Sequence, residues 1–126
     1  MPLPTGTWRA NVNGVENPLT IFAPDAQGVL RGEFTGVEFK GFWDESSQTI
    51  TFPITISFEN AIPSVALFKG YLFRTPANPS PGQDVIATLS GYVQITVGTV
   101  QSQPFPILPT ARRNVFGWVA QITEVL

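Results

Sequence analysis

The stretch TITFPITISF, Thr49–Phe58, alternates apolar and polar positions without a break over ten residues. Isoleucines and phenylalanines occupy one set of alternate positions, while threonines, a serine and Pro53 occupy the other. A period of two over this length predicts a β-strand with one buried face. Because proline has no backbone N–H, Pro53 predicts a bulge or a locally unpaired position in that strand.

Strand-like runs of Val, Ile, Thr and aromatic residues extend in both directions from this stretch. We place the other seven strands at 6–13, 18–23, 29–35, 37–45, 65–75, 85–97 and 113–125. The segments 24–28, 45–48 and 59–64 are turn material, and the longer connections 76–84 and 98–112 are rich in proline. Eight short strands joined in sequence predict an all-β fold, an antiparallel up-and-down eight-stranded barrel, with a two-sheet sandwich as the alternative.

Glycine recurs in the middle of these runs, always with an apolar residue two positions before and two positions after it. The five glycines are Gly32, Gly41, Gly70, Gly91 and Gly117. Glycine inside a strand usually marks a bend or a close backbone approach, and closing a sheet into a barrel requires such positions. We therefore predict that all five face the interior, which favours the barrel over the sandwich.

The composition limits the possible functions. The 126 residues predict one domain, 1–126, with 13% charged residues and a net charge of −2, about half the ~25% charged share of ordinary proteins. Without a basic stripe, a nucleic-acid partner is not expected. The chain has no cysteine and no histidine, which removes the commonest general base and metal ligand. We expect no cofactor, no metal and no enzymatic activity.

Targeting signals are not visible in the sequence. The amino terminus lacks the basic and apolar regions of a signal peptide, and no apolar run reaches the length of a membrane-spanning helix. We expect a soluble chain without a membrane span, cytoplasmic by default.

The amino-terminal third carries a resemblance. Gly6-Thr7-Trp8 is followed by Asn11, Gly14, the apolar run 19–22 and GVLRGEF, 28–34. This order resembles the first three strands of the calycins, and most closely the avidin/streptavidin-like barrels. The resemblance implies an eight-stranded barrel with a ligand site at its mouth, a structural Trp8 that closes the barrel floor, and Asn11 or Asn13 facing the cavity.

The same comparison shows departures from the family pattern. Asn11 lies one residue late, and Phe34 stands where the family has a tyrosine whose hydroxyl binds biotin. The connection Thr35-Gly36 is too short for the family's lid, and Trp43 and Trp118 miss the positions of the biotin-contacting tryptophans. We therefore expect the barrel without the biotin site.

Carboxylates are the remaining source of acid–base chemistry. Asp44 and Glu45 are adjacent, so on a strand they point to opposite faces, and we interpret them as solvated turn charges. Glu33 and Glu38 flank a predicted hairpin and are able to approach each other. Nothing in the sequence places that pair in the cleft that a two-carboxylate glycosidase needs.

Large aromatic residues directly follow four of the glycines. If the glycines face inward, alternation sends these rings outward, and Phe116 shares the face of Trp118. The predicted outward set is Phe42, Tyr71, Tyr92, Phe116 and Trp118. Exposed apolar patches of this kind usually mark a partner surface, so we expect a homo-oligomer. The alternative reverses inside and outside and makes the rings ligand contacts.

The leading hypothesis is a non-enzymatic barrel that binds a small, largely apolar ligand at its mouth and self-associates through its outer face. The mouth is the end that holds the connections 14–17, 35–36, 59–64 and 98–112, and the candidate ligand residues are Asn11, Asn13, Phe34 and Trp43. The second hypothesis is a structural or protein-interaction module whose barrel is filled by side chains. The third is a carbohydrate-binding surface made of exposed aromatic residues.

Overall fold

The structure, a computed structural model, describes residues 2–56, 64–100 and 109–125. These residues form a closed barrel in which each strand pairs antiparallel with its sequence neighbours and the last strand returns to the first. The strands are β1 Gly6–Val12, β2 Val15–Ile21, β3 Val29–Phe34, β4 Val37–Asp44, β5 Thr49–Ile56, β6 Ser64–Thr75, β7 Asp84–Val100 and β8 Pro109–Val125. The predicted up-and-down barrel is confirmed, and the sandwich alternative is wrong.

Two tight turns close the β1–β2 and β3–β4 hairpins at what we call the upper end of the barrel. Asn13 and Gly14 both have left-handed backbones, with φ of 50° and 85°, which is the geometry of a two-residue type I′ hairpin. The turn therefore lies at 13–14 rather than at the predicted 14–17. As a result β2 begins at Val15, and Pro18 lies inside it, opposite Arg9. Thr35 and Gly36 form the second turn at the predicted place.

The remaining described connections lie at the lower end. They span 22–28, 45–48 and 76–83, close to the predicted turns. In the first of these, Asp25 Oδ1 accepts hydrogen bonds from the backbone N–H groups of Gln27 and Val29, both at 2.9 Å. The predicted turn 59–64 lies outside the described residues except for Ser64, which begins β6. Residues 98–100 and 109–112, predicted as loop, belong to β7 and β8.

The strands differ strongly in how much of their length is paired. β7 and β8, 17 residues each, are in register along their whole length. The seam between β1 and β8 is made of four residue pairs, from Arg9–Gln121 to Val12–Trp118. Pro53 is in register with Leu67 of β6, so β5 continues through it without a bulge there, while the register of β5 with β4 covers Thr49–Thr51. The predicted unpaired position is therefore found where β5 faces β4, and not where β5 faces β6.

Aromatic side chains fill the middle of the barrel. The rings of Phe39, Phe52 and Phe68 form a stack, with centroids 4.3 Å apart for the first pair and 4.8 Å for the second. Trp118 meets Phe52 and Phe68 edge-on at 5.8 Å and 5.4 Å. Stacked and edge-on pairs at these distances are the favoured aromatic geometries. The interior is therefore a packed hydrophobic core around these rings.

Four of the predicted glycines lie at inward positions where a side chain has no room. A Cβ on Gly41 would lie 2.6 Å from the carbonyl oxygen of Thr51, and a Cβ on Gly70 would lie 2.6 Å from the indole of Trp118. Gly32 and Gly91 are equally crowded by backbone carbonyl oxygens of the neighbouring strands. The prediction for Gly117 is wrong. It faces outward, and the nearest atom to an added Cβ is 3.9 Å away.

The amino-terminal segment crosses the lower end and closes it. Leu3 is buried, and the Nε1–H of the fully buried Trp8 donates to the carbonyl oxygen of Pro4 at 3.3 Å. The buried Arg74 donates to the carbonyl oxygen of Pro2 and to the carboxylate of Glu124, both at 2.8 Å. Trp8 is thus part of the barrel floor, as the resemblance implied.

Candidate functional site

The four candidate ligand residues do not converge on one cavity. Asn11 points outward from β1, and its Oδ1 accepts a hydrogen bond from the Gly14 N–H at 3.0 Å. Asn13 is exposed in the turn itself. Trp43 lies in the core near the lower end, where its Nε1–H donates to Glu45 at 2.6 Å. Phe34 is at the upper end, so the predicted site of these four residues is wrong.

A different set of side chains lines the interior near the upper end. Its members are partly buried, lie at inward positions and pack on the core; they are Val12, Phe34, Ile95 and Phe116. The ring of Phe34 lies 5.2 Å from that of Phe68, which belongs to the aromatic stack. These residues form an apolar surface above the filled core. Phe116 was predicted to face outward, and this part of the prediction is wrong.

Trp118 is the largest correction to the predicted oligomer interface. It is 3% exposed, and its Nε1–H lies 3.0 Å from the carbonyl oxygens of both Lys69 and Tyr92. Its indole passes over Gly70, whose missing side chain leaves the space. Trp118 lies inside because β8 turns Trp118 and Ala120 inward and Gly117 outward, whereas the prediction placed Gly117 inward. Polar Gln121 and Thr123 share the outward side with Gly117, and that signal was available in the sequence.

The outer side of β6, β7 and β8 carries a set of exposed apolar residues, which we call the apolar face; the polar Ser90 and Gln94 of β7 lie within it, in register with Tyr71 and Leu67 of β6. It consists of Val65, Leu67, Tyr71, Phe73, Ile86, Tyr92, Val115 and Val119, each between 37% and 54% exposed. Lys69 lies within this face, 5.9 Å above the Tyr71 ring. Tyr92 is opposite Gly117, so a ring stands beside a position without a side chain.

Two of the five predicted interface residues, Tyr71 and Tyr92, belong to the apolar face. Phe42 is exposed as predicted, at 48%, but it lies on β4, on another side of the barrel. The aliphatic members and Phe73 were missed by sequence reasoning. Val65, Leu67, Phe73 and Ile86 have the same phase as the tyrosine of their own strand, so the period-two rule applied outward from Tyr71 and Tyr92 finds them. Val115 and Val119 lie on β8, whose predicted phase is wrong.

The carboxylates divide into a turn group and a strand pair. Asp44 accepts hydrogen bonds from the N–H and the hydroxyl of Ser46 at 3.0 Å and 2.7 Å. The hydroxyls of Ser46 and Ser47 hold the pKa of Asp44 below its usual value, in agreement with a solvated turn charge. Glu33 and Glu38 lie directly opposite each other on β3 and β4, and both point outward. The register thus brings the two residues to opposed positions of the β3–β4 hairpin.

Comparison with known proteins gave no relatives: no protein-family profile, no curated protein and no solved structure matches the chain. Within residues 2–56, 64–100 and 109–125, no helix is long and apolar enough to cross a membrane. The same described segments hold no group of three or more Asp, Glu, His or Cys residues placed to bind a metal. The surfaces of the barrel itself are therefore the candidate functional sites.

Proposed function

We propose that this protein is a non-enzymatic barrel that associates with a second copy of itself through the apolar face. The observation that carries the proposal is the exposure of eight large apolar residues on three adjacent strands. Burying a side chain of this size contributes roughly 1.5–3 kcal/mol, and contiguous exposed apolar surface usually marks an interface. Because aromatic rings already occupy the middle of the barrel, the outer surface is the better binding surface.

The shape and charge of the apolar face favour a second copy as its occupant. A two-fold interface needs a patch that is complementary to itself. Tyr92 projects beside the outward Gly117, where nothing stands within 3.9 Å of an added Cβ. A ring and an adjacent recess on one surface allow the ring of each copy to fill the recess of the other. Lys69 is the charged residue inside the face, so no charge pattern selects a different partner.

Sedimentation velocity at tens of micromolar protein tests this proposal. We expect the native chain to sediment as an oligomer, and Tyr71→Glu and Tyr92→Glu to shift it toward smaller species because each buries a charge at the interface. Val15→Glu, which introduces the same charge at an exposed apolar position of β2, is the matched control and should leave this association intact. A native monomer would contradict the proposal. The exposed rings of the apolar face would then support the carbohydrate-binding hypothesis instead.

A second candidate function is the binding of a small apolar ligand at the upper end. It is supported by the partly buried set Val12, Phe34, Ile95 and Phe116. Since the aromatic stack fills the space below, such a ligand would bind shallowly. A fluorescent fatty acid is a suitable probe. We expect Phe34→Asp to abolish its binding and Tyr92→Glu to preserve it; equal binding by both variants would remove this candidate.

A further inference from the structure

Four charged residues on the outer side of β3 and β4 form two cross-strand pairs, and the two residues of each pair have the same sign of charge. Arg31 lies directly opposite Lys40, and in the next outward row Glu33 lies directly opposite Glu38. Like charges at directly opposed positions of an antiparallel pair destabilise the sheet. The barrel thus carries a positive row and a parallel negative row, about 7 Å apart along the strands. We call these four residues the charge rows.

The charge rows lack the ion-pair partners that two arginines elsewhere in the described residues have. Arg9 pairs with Glu16, and Arg74 with Glu124, each at 2.8 Å. Within the described ranges, no hydrogen bond or ion pair involves a side chain of the charge rows. They account for two of the seven basic and two of the nine acidic residues. A protein with so few charges has concentrated them where its own fold leaves them unpaired.

We propose that the charge rows form a second, electrostatic interface between two copies of this chain. Consider two copies packed face to face about a two-fold axis that runs perpendicular to the strands, midway between the rows. This axis places β3 over β3 and β4 over β4, with the strand directions reversed. It therefore places the positive row of one copy over the negative row of the other. Arg31 of each copy then faces Glu33 of the other copy, and Lys40 of each copy faces Glu38 of the other. An axis along the strands would place like rows together and is excluded by repulsion.

The surface between the rows has the shape that this contact needs. A hollow of about 280 Å³ lies between them, lined by the four charged residues, Gly32, Phe39 and Phe22. Phe22 and Phe42, 52% and 48% exposed, stand at its margin. The same two-fold axis carries Phe42 toward the Thr35-Gly36 turn of the second copy. An added Cβ at Gly36 would meet no atom within 4 Å, so the turn leaves room for the ring.

The charge order favours a second copy over other occupants. A polyanion such as nucleic acid is repelled by the glutamate row, and a polycation is repelled by the Arg31–Lys40 row. A complementary surface must carry a positive and a negative row with the same spacing and in the reverse order. The two-fold partner of this chain carries that arrangement. This interface is on a different side of the barrel from the apolar face and does not depend on it.

A charge-reversal experiment tests the proposal, and it is done in the Tyr92→Glu background to remove the apolar interface. Variant A carries Arg31→Glu and Lys40→Glu, which makes both rows negative. Variant B carries Glu33→Lys and Glu38→Lys, which makes both rows positive. In sedimentation velocity at about 50 mM NaCl, we expect the background protein to dimerise and each variant alone to be monomeric. An equimolar mixture of A and B should regain the dimer.

The matched control is Arg9→Glu in the same background, a charge reversal on β1 that should leave the dimer intact. At about 1 M NaCl both the background dimer and the A–B dimer should dissociate, because salt screens exposed charges. Circular dichroism confirms that each variant is folded. The proposal is overturned if the background protein is monomeric at low salt, if A or B alone still dimerises, or if the mixture remains monomeric. If Tyr92→Glu leaves the native association unchanged, the apolar proposal alone fails.

Discussion

At the scale of single residues, Trp118 explains why this small barrel needs glycine on two adjacent strands. Ile50, Gly70, Gly91 and Trp118 form one row across β5, β6, β7 and β8. The indole lies over Gly70, and its N–H donates to the carbonyl oxygens of Lys69 and Tyr92, while Gly91 packs closely against the backbone of Lys69 and Gly70. A buried indole N–H usually needs such an acceptor. The glycines therefore provide both the space and the close backbone approach.

A pair of alanine substitutions separates an inward from an outward glycine. In Gly91→Ala the new methyl group would collide with the Lys69 carbonyl oxygen, and we expect a loss of about 1–3 kcal/mol of unfolding free energy, typical of overpacking. Gly117→Ala has open space and should be neutral or stabilising by up to about 1 kcal/mol. Urea unfolding of both variants measures the difference. Equal destabilisation would show that the phase of β8 is different.

The pKa of Asp44 predicts a pH dependence of stability. The hydroxyls of Ser46 and Ser47 lower this pKa in the folded chain, so the carboxylate stabilises the fold at pH above the ordinary aspartate value of about 4. That contribution is lost as the pH falls through the folded pKa. When the pH is lowered from about 5 to about 2, the thermal unfolding midpoint of Asp44→Asn should fall by less than that of the native chain. An unchanged decrease in Asp44→Asn would contradict this role of the carboxylate.

At the scale of secondary structure elements, patterns within one strand were predicted well from the sequence. The alternation in 49–56 and the phase of Gly32, Gly41 and Gly70 follow from local periodicity, and the structure confirms them. The phase of β8 was wrong because Gly117 was matched to the other glycines while Gln121 was ignored. The register that brings Trp118 to the Lys69 and Tyr92 carbonyls joins three strands. No local pattern encodes such a relation, so sequence reasoning missed it.

The amino-terminal segment is the element that closes the lower end, and its removal should expose the floor. Leu3→Asp would place a carboxylate where the leucine is 5% exposed. We expect a loss of about 2–5 kcal/mol, the range for truncating a large core side chain, with the desolvation of the charge added. Pro2→Ala, at an exposed position whose carbonyl oxygen is retained, is the control. Thermal unfolding of both variants gives the comparison; similar midpoints would contradict the role of Leu3.

At the scale of the whole molecule, the two proposed interfaces lie on different sides of one barrel. The apolar face is on β6–β8, and the charge rows are on β3 and β4. Two distinct two-fold interfaces on one subunit generate a tetramer when their axes close, and a filament when they do not. We therefore expect the native chain to exceed a dimer at low salt, and Tyr92→Glu or high salt each to reduce it to a dimer. Size-exclusion chromatography with light scattering gives the mass; a native species no larger than a dimer would show that one interface is absent.

The short seam between β1 and β8 determines when the barrel closes during synthesis. Arg9–Val12 pair with Trp118–Gln121, so the first strand waits for nearly the whole chain before its second neighbour exists. Folds that join distant parts of the sequence are slow to form. Until the last strand leaves the ribosome, Trp8 and its neighbours face an open sheet, and Trp118 has not yet filled the interior. Until β8 is synthesised, a nascent chain with so few charges is therefore prone to aggregate.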